Sequence, residues 1–184
     1  NLSQFLRWPE FREFAFLDFD AGAGEPSPDE PPSIESALKY HNAGQYGAAR
    51  RAYQGILEME PGHADATHLL GLLEHQLGRH DAAIELIQRA LKRFPANLLY
   101  RKNLAQILRD TGRLREAEQA YRTALESEPR DADTLHRLGL TLAAMEQFDE
   151  AGDCISAALA IHPGSVMWND LGNIRTAQQR WPEA

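Results

Sequence analysis

The chain has 184 residues, 43% hydrophobic and 25% charged, the balance of a soluble folded domain or a short repeat array. Its 19 Lys and Arg against 27 Asp and Glu leave a net charge of −8, which argues against a nucleic-acid backbone or an anionic membrane as partner, since both select positive surfaces. The one cysteine, Cys154, excludes an internal disulfide, and no apolar run approaches the roughly 18 residues of a membrane span. Nothing after Asn1 has the pattern of a signal peptide, so the chain reads as a trimmed fragment with the cytoplasm as its expected compartment.

Residues 1–20 form an acidic aromatic arm. Six of the fifteen aromatics lie there (Phe5, Trp8, Phe11, Phe14, Phe16 and Phe19), and residues 1–33 carry seven acids against Arg7 and Arg12. Pro9 suits a first helical turn, Glu10 and Glu13 favour an amino end, and Phe11, Phe14, Ala15 and Leu17 make an apolar stripe. The expectation is a capping helix on the edge of the array, or a docking helix for a partner. Residues 21–32 follow as a Pro- and Gly-rich linker with little to bury.

From Ser33 onward the chain repeats. Pro61, Pro95, Pro129 and Pro163 are 34 residues apart, and so are Ala49, Ala83, Ala117 and Ala151. Leu70, Leu104, Leu138 and Leu171 form a further column, each followed by a small residue. Tyr53, Ile87, Tyr121 and Ile155 hold a bulky apolar position, and Leu57, Leu91, Leu125 and Leu159 another. Each unit reads as two helices, the first ended by Gly44, Gly78 or Gly112 in a left-handed cap. Glu146 replaces that glycine in the fourth unit, which predicts a strained or different turn there. Asp81 and Asp149 suit capping of the second helix and its positive dipole end. The small residue after each column leucine predicts close approach of the paired helices, and the proline closes the second helix. The units expected are 33–63, 64–97, 98–131, 132–164 and a partial 165–184.

This pattern resembles the tetratricopeptide repeat (TPR) family, on the 34-residue period and on Leu70-Gly71, Gly78, Ala83, Ile87, Ala90-Leu91 and Pro95 with their counterparts in the following units. The resemblance covers residues 33–184 and implies an all-α, right-handed solenoid of about four and a half helix pairs. A narrower resemblance, carried by residues 63–73, 78–80 and 86–91, is to the amino-terminal arrays of bacterial protein O-glycosyltransferases or sulfotransferases. The asparagine column of the glycosyltransferase arrays is matched by Asn103, while Leu69, Arg137 and Asp170 depart from it. The carboxylate clamp of TPR co-chaperones is matched only by Asn103 and Arg137, with His68, Leu72 and Asp133 in its other places. Binding of a heat-shock chaperone tail is therefore not expected.

Catalytic chemistry finds little purchase. His68 and His75 are two helical turns apart, about 10 Å along the axis, too far for both to reach one ion at about 2 Å. No Gly-x-Ser-x-Gly elbow and no Gly-rich phosphate loop occurs, so no metal, no cofactor and no enzymatic activity of this chain are expected.

What remains is the face of each first helix that the columns leave free. His68, Leu72, His75 and Gln76 fall on one stripe, and His41 stands 34 residues before His75 and is expected to stack beside it. Lys102, Asn103, Gln106 and Arg109 follow in the third unit, then His136, Arg137 and Leu140, then Asn169 and Asn173. By resemblance this stripe lines a concave groove for a protein or peptide ligand. Lys102 and Arg109 beside Leu72 and Leu140 point to an acidic ligand with apolar anchors, a description that the chain's own arm also fits. The function expected is a protein-interaction scaffold. The alternatives are the substrate-recruiting arm of a larger glycosyltransferase or sulfotransferase, and a self-assembly module working through residues 1–20. An array cut in mid-repeat, exposing Trp168, Leu171, Ile174 and Trp181, is the other expected route to self-association.

Overall fold

The computed structural model describes residues 32–180, with side chains as far as Gln178, and they build helices alone. In chain order these are α1 (Ile34–Asn42), α2 (Tyr46–Met59), α3 (Ala64–Gln76), α4 (His80–Arg93), α5 (Leu98–Asp110), α6 (Leu114–Ser127), α7 (Ala132–Ala144), α8 (Phe148–Ile161) and α9 (Ser165–Arg180). The expected arm and most of the linker, with Trp181, lie outside the described residues.

Odd-numbered helices are the first of each pair and even-numbered ones the second. Every second helix stops at the residue before a repeat proline, at Glu60, Phe94, Glu128 and His162. Proline lacks the amide that would continue the ladder and disfavours helical backbone in the residue before it. Three first helices start on capping side chains, Ser33 in a reciprocal box with Ser36, His63 accepting from Ala66 N and Asn97 accepting from Tyr100 N, whereas Asp131 before α7 makes no such bond. Second helices start without a side-chain cap, at Gln45, Arg79, Arg113 and Gln147. Asp81 and Asp149 therefore lie two residues too far along to cap. They sit in the first turn, where they meet the positive helix end.

The turn within each pair is the same four times. Gly44, Gly78 and Gly112 adopt φ of 73°, 78° and 77°, and the following amide reaches back to the carbonyls of Tyr40, Glu74 and Leu108. Glu146 takes the same left-handed conformation at φ 62°, with Gln147 N bonded to Leu142 O at 3.0 Å. The turn is strained, as its side chain implies, yet not different in shape.

The repeat columns are the core. Ala49, Ala83, Ala117, Ala151, Tyr53, Ile87, Tyr121 and Ile155 are all fully buried. Burying each isoleucine contributes about 1.5–3 kcal/mol. Gly71 and Gly139 are where the paired helices come closest: a Cβ there would meet Ile87 Cγ1 at 2.8 Å and Ile155 Cγ1 at 2.6 Å. Gly172, in the same column, has no such neighbour within 4 Å.

Helices α3, α5, α7 and α9 touch one another in succession, α3, α5 and α7 pack on their own partners and α9 on α8, and no contact of comparable extent joins successive second helices among the described residues. First helices thus form a continuous inner layer and second helices a wider-spaced outer one. At the last described pair, Leu171 and Ile174 are not exposed as expected. They lie 3.9 Å from the position a Gly152 Cβ would take on α8 and are buried against it. Trp168 and Val166 point away and are exposed, at 59% and 67%.

Candidate functional site

The inner layer is stitched by side chains spaced one repeat apart. Tyr100 donates to Asp65, Asn103 Nδ2 donates to His68 Nε2 at 2.9 Å, and His136 Nε2 donates to Asp170 Oδ2 at 2.8 Å. Two turns further along the helices, His41 Nε2 donates to Gln76 Oε1 at 2.7 Å, and His75 Nε2 lies 3.5 Å from Asp110 Oδ2. The sequence offsets are 35 residues in four of these pairs and 34 in the fifth. A repeat of nearly constant rise places such positions side by side.

This stitching changes the standing of several expected groove residues. His41, His68, Leu72, Asn103 and Gln106 are buried, at 0%, 3%, 4%, 2% and 6% exposure. His41 Nδ1 faces the Tyr53 hydroxyl at 3.2 Å, and His75 Nδ1 pairs with His80 Nδ1 at 2.8 Å. His68 lies flat on Tyr100, with centroids 4.3 Å apart. Gln106 is a hub, accepting from Tyr121 and Arg137 and donating to Asp110 Oδ1 at 2.6 Å. Burial pushes His68 down to about 4, with Asp65 drawing it back up, and burial also lowers His41. Both imidazoles are thereby kept neutral at physiological pH. Asn103 Oδ1 is the one buried side-chain oxygen or nitrogen without a hydrogen-bond partner among the described residues.

His75, Lys102, Arg109, His136, Arg137 and Leu140 are half-buried, and Gln76, Asn169 and Asn173 are exposed. These are the more accessible positions of the inner face. The cations among them have acids close by, so the central face is not the positive field that Lys102 and Arg109 imply in the sequence. Lys102 Nζ is 3.0 Å from Asp131 Oδ2 and 3.5 Å from Asp133 Oδ2. Arg109 is 3.6 Å from Asp110, and Arg137 Nε donates to Asp133 at 2.9 Å. Burial acts to raise Asp131 and Asp110, but Thr134 and Lys102 hold the first below the usual carboxylate range, and His75 with Arg109 hold the second. The carboxylate partners Asp65, Asp110 and Asp131, with Tyr100, went unselected in the sequence. A scan for polar pairs 34 or 35 apart finds them.

Among the described residues no group of three or more His, Cys, Asp or Glu could hold a metal ion, and no helix is long and apolar enough to cross a membrane.

Two-helix units of constant period, stacked on their neighbours around one continuous core, define an all-α helical-repeat protein. A family model described as tetratricopeptide repeat matches residues 36–97 and 102–166, and the chain belongs to that family. It is 28% identical over 177 residues to the peroxisomal targeting signal receptor of Eremothecium gossypii, covering 78% of this chain and 31% of that protein. It is 27% identical over 124 residues to human protein O-mannosyl-transferase TMTC1, covering 67% of this chain and 14% of that one. The chain thus spans about a third or less of the curated relatives it matches. Crystal structures of MamA and of YrrB, a TPR protein with an unusual peptide-binding site, share the fold. MamA aligns with a TM-score of 0.72 at 21% identity over 80% of this chain and 85% of its own, and YrrB with 0.67 at 22% over 75% and 71%.

Proposed function

We propose that the chain is a non-catalytic protein-interaction scaffold that holds a peptide segment of a partner along the inner face of α3, α5, α7 and α9. The observation that carries this reading is the row of reachable side chains along that face, half-buried His75, Lys102, Arg109 and Leu140 with exposed Gln76, Asn169 and Asn173, a mixture of amides, charges and an apolar contact suited to a peptide. Leu140 supplies an apolar contact, and Asn169 and Asn173 supply exposed amides on α9. Membership of the TPR family, and the peptide-binding site named for YrrB, favour a peptide as the ligand. Because Lys102 and Arg109 have carboxylates beside them, an acidic ligand gains by exchanging partners with Asp131 and Asp110 and not by meeting bare cations.

Peptides selected from a random library on the wild-type chain provide the probe. Asn169→Ala with Asn173→Ala, and separately Leu140→Asp, are expected to weaken them at least tenfold with helical content intact. Selected peptides that bind all three chains equally overturn the inner-face reading. A second reading, recruitment of substrate to a linked glycosyltransferase, is favoured by the likeness to the O-mannosyl-transferase. The open reading frame on either side of the chain decides it.

A further inference from the structure

A second surface lies on the outer layer, between α2 and α4. There the wider spacing of second helices leaves a cleft of about 410 Å³ over Leu70 and Leu86, bordered by Arg50, Arg79 and Arg89. At its floor Glu74, 3% exposed, forms an ion pair with Arg50 Nε at 2.9 Å and accepts from Arg79 Nε. Among the described residues, Glu74 thus ties each guanidinium at its Nε. Arg89 has no such partner at all among them. It also borders a second cleft, of about 570 Å³, with Lys92, Arg93 and Phe94. Lys92 and Arg93 likewise form no ion pair among the described residues, and Phe94 is 51% exposed.

The two clefts join at Arg89 and run along α4. Their borders hold five basic side chains against Glu74 and Glu85, on a chain whose net charge is −8. At 1.5 Å per helical residue, Arg79 and Arg89 are about 15 Å apart and Arg79 and Arg93 about 21 Å. An extended peptide advances about 3.3 Å per residue, so acids about four or five residues apart meet Arg79 and Arg89 and acids about six or seven apart meet Arg79 and Arg93, with an apolar residue between them over Leu86.

We infer that this outer strip is a second recognition site, for an extended acidic peptide segment of a partner protein with an apolar residue between its acids and an aromatic one at its end. Glu74 orients the Arg50 and Arg79 guanidiniums before the ligand arrives, which removes part of the ordering cost of binding. The strip is short and the chain as a whole acidic, which disfavours a long polyanion such as nucleic acid.

A fluorescein-labelled peptide of glutamates interrupted by one leucine and one phenylalanine, followed by anisotropy on the full chain at low and raised salt, tests this. Binding is expected to weaken with salt, to fall at least tenfold in Arg89→Glu/Arg93→Glu, and to stay within twofold of wild type in Arg115→Glu/Arg130→Glu, two exposed basic residues outside both surfaces. Arg89 and Arg93 are exposed, and far-UV circular dichroism checks that the variants fold. Equal binding by the Arg89→Glu/Arg93→Glu chain, or by a peptide with glutamine in place of glutamate, overturns the proposal. So does equally strong competition by oligothymidylate. Probe binding that emerges only after residues 1–20 are deleted makes the chain's own acidic segment the occupant and overturns the assignment to a separate partner.

Discussion

The two layers of the array hold their charges and polar groups in opposite ways. On the inner layer, imidazoles, amides and carboxylates from successive first helices meet one another and are largely withdrawn from water, as at His68–Asn103 and His41–Gln76. On the outer layer, charged groups such as Arg122 and Glu150 pair across neighbouring helices while half exposed, or, like Arg89, have no partner among the described residues. The difference follows from spacing. Where helices lie close, a polar side chain must find a partner or lose stability; where they splay, water supplies one. A repeat protein can thus carry its specificity between units on one face and leave the other free to vary.

If that contrast is right, acid should attack the inner layer first. An unfolded histidine titrates near 6.5, whereas burial takes His68 down to about 4, so between these values the unfolded chain binds more protons than the folded one. Stability is full above pH 6.5 and falls as the pH drops towards 4, by on the order of 3 kcal/mol from this residue. His41, also lowered by burial, adds in the same direction. Urea midpoints across this range should fall steeply for the wild-type chain and less so for His68→Gln. An equal slope in both places the sensitivity elsewhere.

The next effect concerns the closest approach of the layers. Gly139→Ala drives a methyl into Ile155 and towards Ala151 O at 3.0 Å, and should lower stability by about 1–3 kcal/mol. Gly172→Ala, with open space around it, should leave stability unchanged or raise it by up to about 1 kcal/mol through helix propensity. Chemical denaturation of the two variants side by side is the measurement, and equal effects would refute the packing role given to Gly139.

Smaller changes lie at the turn and on the outer layer. Glu146→Gly relieves a left-handed backbone at φ 62° and should stabilise the chain by about 0.5–1 kcal/mol, read as a higher Tm. Arg122→Ala removes the Glu118 and Glu150 pairs, at 2.9 and 2.6 Å, from an exposed site and should cost about 0–1 kcal/mol, less in raised salt. A larger loss from Arg122→Ala than from Gly139→Ala would invert the contrast between the layers.

The period, the helix pairs, the buried alanine and bulky columns and the glycine turns are legible in the sequence, because each rests on a local rule repeated at a fixed offset. Pro95 ends a helix and Gly78 turns the chain whatever surrounds them. The free stripe of the first helices is legible too, but not its state. Whether His68 faces a ligand or Asn103 depends on how closely α3 and α5 approach, and helical periodicity describes one helix at a time. The same limit hides the carboxylates beside Lys102 and the cleft beside Arg89, since both exist only between helices. Local backbone preference is written residue by residue, whereas burial and pairing are properties of the distance between units, and that distance is decided by the packing of all of them together.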